Sequence, residues 1–213
     1  MGEVHLTDNR LVIHSVLFFY GSAANDALSQ QLAQDIATCW NEPAALIQIA
    51  RQPYQVYFDI EGIWAKSLTA AMVFENTNPC NNYFRIERYA MSEVSFVDGL
   101  GCNTGYLLLD NLLQTPTTIA HEYGHTLGLD HPAQLDIRGQ GVPGIMYPRG
   151  SWVDADYQYS NTALPGQPGG IINPACRKVR LADIEALQLH RLNYIQQRAT
   201  LGGFSSVWHQ PHG

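Results

Sequence analysis

Three histidines stand close together near the middle of the chain: His121, His125 and His131, in the stretch HEYGHTLGLDHP that runs from His121 to Pro132. On a helix, residues four apart share a face and lie about 6 Å apart along the axis, so His121 and His125 can both reach one ion at about 2.0–2.1 Å. His131 cannot join them from a straight helix. Gly128 supplies the turn that would bring it back, because glycine takes a positive φ without steric cost. Three neutral imidazoles leave a fourth tetrahedral position for water, which is the pattern of one catalytic Zn²⁺ rather than of a closed structural site. Glu122 leaves the helix about 100° round from His121, poorly placed as a ligand but able to reach a water on the ion. It is the candidate general base: it would take the water's proton while the oxygen attacks a peptide carbonyl, then pass that proton to the leaving amine. A lone HExxH arises by chance in about one protein of this size in a hundred, and Gly128 and His131 at fixed offsets lower that by about three orders of magnitude.

The elements that must hold this stretch follow from hydrophobic spacing. Residues 11–20 are a strand candidate. Residues 23–40 carry Leu28, Leu32, Ile36 and Trp40 at intervals of four, a helical stripe that Pro43 closes. Residues 45–50 and 54–60 predict two strands or one bent one, with Tyr54, Val56, Phe58 and Ile60 on one face and Gln55, Tyr57 and Asp59 on the other. Residues 76–82 read as a loop and 83–89 as a strand. Gly99, Gly101 and Gly105 punctuate a second loop before the apolar segment 106–113. Pro116 opens the helix expected over 117–127, and Gly128 stops it. Proline and glycine crowd residues 132–170, predicting one long irregular stretch. A last helix is expected from Leu181, with Leu181, Ile184, Leu187 and Tyr194 inward, and residues 202–213 as a partly ordered tail. The expected fold is α/β in a single unit: an N-terminal lobe (about 1–128) with a twisted mixed sheet, a backing helix and the active-site helix, then an irregular C-terminal lobe (about 129–200) ending in a helix, and a tail (201–213).

HExxHxxGxxH resembles the metzincin zinc endopeptidases, whose second hallmark is a tight turn bearing a methionine beneath the metal. Gly144-Ile145-Met146-Tyr147-Pro148, fifteen residues after His131, is similar to that turn and makes Met146 its methionine. The Met-Tyr-Pro sequence and the helix Leu181-Ala182-Asp183-Ile184-Glu185-Ala186-Leu187-Gln188 resemble the matrixin branch most. Pro132 after the third His is instead similar to serralysins, Gly150 stands where matrixins tend to carry a wall tyrosine, and no histidine lies between His14 and His121 to build the matrixin structural zinc site. The resemblance implies a zinc endopeptidase with a cleft between its lobes, an extended polypeptide added to the sheet edge, and Met146, Tyr147 and Pro148 along the pocket just past the scissile bond. The length fits a bare catalytic domain without a propeptide.

Other residues carry competing readings. Tyr147, Tyr157 and Tyr159 could offer a phenol to an oxyanion, but packing or pocket-wall roles are preferred. Asp154 and Asp156 with Asn161 could bind Ca²⁺, although a full ligand motif is missing and a solvated loop is preferred. Asp130 could orient a ligand or tie the turn to neighbouring backbone. His5, His14, His190, His209 and His212, with Trp152 and Trp208, read as core or surface residues. Cys39, Cys80, Cys102 and Cys176 form no CxxC pair, and disulfides are preferred over free thiols.

The net charge of −7 and the absence of a basic run argue against nucleic acid as a partner. The longest apolar run is about half the roughly 20 residues a membrane span needs. A secreted monomer acting on polypeptide is expected. Free cysteines would instead point to an intracellular destination. Two alternatives remain: a protease dedicated to one target, such as a toxin or processing factor, and a zinc-stabilised binding module without turnover.

Overall fold

The computed structural model describes residues 1–91, 94–205 and 207–212. The fold is mixed α/β, built on a curled mixed sheet of eight strands: β1 (Gly2–Leu6), β2 (Arg10–Tyr20), β3 (Leu46–Ile49), β4 (Gln52–Trp64), β5 (Asn81–Glu87), β6 (Phe96–Val97), β7 (Thr104–Leu108) and β8 (Arg198–Leu201). The main path runs β3-β4-β2-β5-β7-β6. β4 pairs in parallel along one side of β2 from Arg10 to Phe19. The other side of β2 is shared: β1 runs antiparallel to its first half, and β5 runs parallel to its second half. Burial follows this placement. The first half of β2 alternates between the core and a half-open face, whereas Ser15, Val16 and Leu17 are all buried.

Helix α1 (Asp26–Asn41) backs the sheet. Asn25 starts it by accepting the Leu28 N–H at 3.0 Å, and Leu32, Ile36 and Trp40 turn inward as their spacing predicts. Residues 45–60 form two antiparallel strands, with Tyr54, Val56 and Phe58 buried and Gln55, Tyr57 and Asp59 exposed. A short helix, α2 (Ala70–Phe74), was not expected; Thr69 caps it. Residues 104–108, expected partly as loop, are strand β7, and the apolar segment after it becomes helix α3 (Leu109–Gln114). Gly105 fits a strand because a Cβ there would overlap the Phe96 carbonyl of neighbouring β6. Helix α4 (Thr117–Thr126) carries the histidines, with Pro116 immediately before it rather than inside it.

The stretch 132–170 is irregular as expected, apart from one 3₁₀ turn at Ala155–Tyr157. The expected last helix is cut short. Helix α5 (Leu181–Ala186) buries Ile184 but leaves Leu181 exposed, and Gln188 takes a left-handed conformation that turns the chain. The C-terminal region therefore does not end in a helix: β8 follows and pairs with β1. The tail is more structured than expected. Trp208 stacks on Tyr20 at 4.6 Å, His209 meets Asp98 at 3.0 Å, and the His209 carbonyl accepts from Arg85 at 3.0 Å. This cover explains how β5 stays buried although it carries Arg85 and Glu87, which pair at 2.6 Å. Ser206 and Gly213 of the expected tail lie outside the described residues.

All four cysteines are free thiols, against the preference for disulfides. They sit on separate elements. Cys39 lies on α1 near Glu42 and Lys178, where burial pushes its thiol up to about 11, while Cys80 and Cys102 flank the Met1 ammonium. Among the described residues, no helix is long and apolar enough to cross a membrane.

Candidate metal centre and its cleft

Helix α4 presents two faces with separate tasks. Its back face is fixed to the sheet. Trp40 Nε1 of α1 donates to the Ala120 carbonyl at 3.0 Å, and the buried Tyr123 hydroxyl meets Ser15 Oγ of β2 at 2.8 Å. Trp40, Phe58 and Tyr123 pack their rings against one another with centroids 5.1–6.4 Å apart. The front face then carries Thr118, His121, Glu122 and His125 into the cleft.

The helix ends in a Schellman turn. Gly128 takes φ +94°, its N–H donates to His125 O at 3.0 Å, and Leu129 N–H donates to Gly124 O at 3.1 Å. The chain reverses there and brings His131 back over the helix. Its Nε2 lies 3.1 Å from His121 Nε2 and 3.2 Å from His125 Nε2. Tetrahedral zinc with Zn–N bonds of about 2.0–2.1 Å would separate its nitrogens by roughly 3.3–3.4 Å, close to this spacing.

The backbone decides which nitrogen faces inward. His121 Nδ1 lies 2.8 Å from Ile145 O, and His125 Nδ1 lies 2.7 Å from Leu129 O. A carbonyl oxygen can only accept, so both Nδ1 atoms carry hydrogen and both Nε2 atoms of the neutral rings present lone pairs to the same point. Burial lowers the pKa of all three imidazoles, and Arg177 adds to this in each case, so the neutral ligand form is favoured. A proton on His131 Nε2 could satisfy only one of these two lone pairs at a time, whereas a cation between the three nitrogens satisfies all of them. The donor set of three imidazoles suits zinc.

Met146 lies directly under the helix. It belongs to the main core, and a Cβ on Gly124 would overlap its Sδ and press on Trp40 Cζ2 at 3.2 Å. The glycine inside HEYGH is thus the residue that lets the methionine approach. The same turn supplies the Ile145 carbonyl that orients His121. Asp183 of α5 supports it, accepting the Arg180 N–H at 2.7 Å and the Ile145 N–H. Sequence reasoning placed this helix but did not single out Asp183.

The cleft has a volume of about 450 Å³. Its upper rim includes Phe96 and Val97 of β6, which has a strand on one side only among the described residues. Glu122 lies inside, 7% exposed. Burial pushes its carboxyl up to about 8, while the Arg177 and Arg149 guanidinium groups pull the other way. Pro148 lines this cleft. Tyr147 does not; with Met146 it borders a separate cavity of about 260 Å³, and its ring packs against Ile137, Val153 and Ile172.

Tyr157 joins that same small cluster, and Tyr159 is half exposed. Asp130 ties its own turn by accepting the His131 N–H at 2.7 Å. Asp154 accepts the Gly139 N–H at 2.8 Å, which gives it a role in loop structure. His5 and His14 meet Glu3 and Asp59, at 2.7 and 2.9 Å. Trp152 lies under the Arg138 guanidinium, and His212 Nδ1 accepts from the Met91 N–H. Among the cleft residues that sequence reasoning missed are Asn111, Thr118, Arg149 and Arg177. Thr118 could have been found from its position one turn before Glu122 on the same helical face. Arg177, distant in sequence, carries no such signal.

Among the described residues, the three histidines are the one cluster of His, Cys, Asp or Glu that could hold a metal ion. Compared with protein-family models and with curated proteins, the chain matches none.

Proposed function

We propose that the protein is a zinc-dependent endopeptidase of the metzincin type, with His121, His125 and His131 as ligands and Glu122 as general base. One observation carries this reading: three Nε2 atoms converge beside a buried carboxylate, and backbone carbonyls hold two of the rings in the ligand tautomer. A zinc ion held there supplies the Lewis acidity that makes water acidic near neutrality and polarises a carbonyl. The chain's own groups do the rest. Glu122 takes a proton from water as the water oxygen bonds to the carbonyl carbon, and returns it to the amide nitrogen as the C–N bond breaks. One water is consumed, and one carboxyl and one amine are released. An extended substrate gains backbone hydrogen bonds by lying along β6.

The four free thiols favour a second reading of where this activity works, on a dedicated target in a reducing compartment rather than in a secreted role. Thiol titration of the native protein separates the two. The activity itself is tested with an unfolded protein substrate. Zinc-loaded protein is expected to cleave it, with chelation removing cleavage and Glu122→Gln lowering turnover by about 10²–10⁴ while zinc content stays at one per chain. Zinc-loaded protein that cleaves no member of a broad peptide library overturns the reading and leaves a zinc-stabilised binding module.

A further inference from the structure

The cleft contains two arginines that the mechanism above does not use. Arg149 follows Pro148 in the lower wall, and Arg177 follows the 3₁₀ turn Pro174–Cys176, which packs against the start of α4 through Thr117 Oγ1 and the Pro174 carbonyl. Both line the cavity that holds Glu122, together with Thr118 and with Asn111, to which Arg149 donates. Thr118 lies one helical turn before Glu122, so this part of the cavity is a continuation of the reaction centre along α4 and not a separate hole.

The two guanidinium groups have little to neutralise them. Arg177 is 6% exposed, and its Nε has no hydrogen-bond partner. Arg149 donates to Asn111 Oδ1 at 3.0 Å, a neutral acceptor. Among the described residues, neither forms an ion pair with a carboxylate. They also act on each other: burial lowers the Arg177 pKa to about 10, and Arg149 contributes to the lowering. Of the two acids lining the cleft, Asp130 is tied to the His131 N–H and Glu122 is the carboxylate that acts on Arg177, so the two guanidinium groups share one neighbouring carboxylate and keep a local excess of positive charge even when it is ionised. A bound dication adds to it. A buried charge without a counter-ion is strongly destabilising, and the chain's nineteen acidic residues made pairing from within available.

We propose that Arg149 and Arg177 form a carboxylate-binding pocket next to the reaction centre, so that the preferred substrate is a polypeptide presenting a carboxylate just beyond the scissile bond. The guanidinium forks match a carboxylate in geometry as well as charge. The carboxylate has two possible sources: an Asp or Glu side chain, giving internal cleavage before acidic residues, or the substrate's own C-terminus, giving removal of a short terminal piece. The specificity rests on the peptidase reading, and the tests separate the two.

Zinc-loaded protein is given a peptide library with free or amidated C-termini, and products are read by mass spectrometry. Cleavage is expected to favour Asp or Glu after the bond over Gln and Leu by roughly 10- to 100-fold, the range for one or two charged hydrogen bonds. If the preference instead follows the free C-terminus and disappears on amidation, the pocket binds the terminal carboxylate. Arg149→Gln should reduce the preference. Arg177→Lys keeps the charge without the fork and should reduce it less than Arg177→Gln, with thermal midpoints confirming folding. Binding is read without turnover by fluorescence anisotropy of labelled decapeptides with a central Glu or Gln on the Glu122→Gln protein. Equal cleavage and equal binding of the Glu and Gln peptides overturns the pocket while leaving the peptidase standing. Selective binding with no cleavage by the zinc-loaded wild type overturns the peptidase and keeps the pocket.

Discussion

The three-histidine cluster lies between two regions built in different ways. Above it, the sheet and α1 surround α4 with regular backbone pairing and large buried rings. Below it, residues 129–191 hold together mostly through isolated turns and side-chain contacts to backbone, such as Asp154 to Gly139 and Asp183 to Ile145. The upper region fixes where His121 and His125 stand. The lower region fixes which way their rings point, because the Leu129 and Ile145 carbonyls belong to it. A ligand on a helix thus depends on an irregular segment for its tautomer, and neither region makes the site alone.

Damage to each region should therefore read out differently. The largest effect is expected from Trp40→Ala in the upper region. It removes a buried indole and its hydrogen bond to Ala120, and should cost about 3–5 kcal/mol in denaturant unfolding. A cost below 1 kcal/mol would mean that α4 is held from below.

Zinc removal should act mainly on the other side. At zinc concentrations 100 to 1,000 times its dissociation constant, binding stabilises the folded site by about 2.7–4.1 kcal/mol. Hydrogen exchange after chelation is expected to speed up in residues 129–148, with β2 and β4 unchanged. Uniform loss across both regions would erase the distinction.

Gly128 joins the two. A Cβ there meets nothing within 4 Å, so Gly128→Ala isolates the conformational cost of φ +94°, about 1–2 kcal/mol. Zinc affinity should fall with it, since His131 depends on that turn.

The smallest effect concerns two carboxylates, buried Glu87 and half-buried Asp183, whose pKa values are displaced in opposite directions. Ser22 and Arg85 hold Glu87, in the upper region, below its usual 4.5; its contribution to stability is present above that value and fades as pH falls through the lower folded pKa. Burial raises Asp183, in the lower region, above 3.8, so the folded state binds the extra proton and stability falls as pH rises through its folded value. Carbon-detected NMR titration should find Glu87 titrating before ordinary carboxylates on the acid side and Asp183 after them. Identical midpoints would remove the contrast.

The same division governs what could be read from the sequence. The α1 stripe and the alternation in β4 were legible because one buried face imposes a period. The expectation for β7 failed where Gly105 signals close strand approach rather than a loop, and the last helix was overextended because Gln188, which is not a glycine, takes the left-handed conformation that turns the chain. In the irregular region only the spacing of chemical groups was informative. It brought out Gly128 and His131 but missed Arg177, whose place beside Glu122 results from tertiary packing across more than fifty residues. The covered tail and the free thiols likewise depend on which surfaces meet, which no local period records.

The pairing of β8 with β1 returns the chain to the sheet that it left after β7. Both ends of the lower region are therefore sewn into one structure, so that region behaves as a closed span and not as a hanging flap. A single backbone cut near its exposed Leu164 would leave two pieces still joined through the same strands, and a nicked molecule should elute as one species until it is denatured.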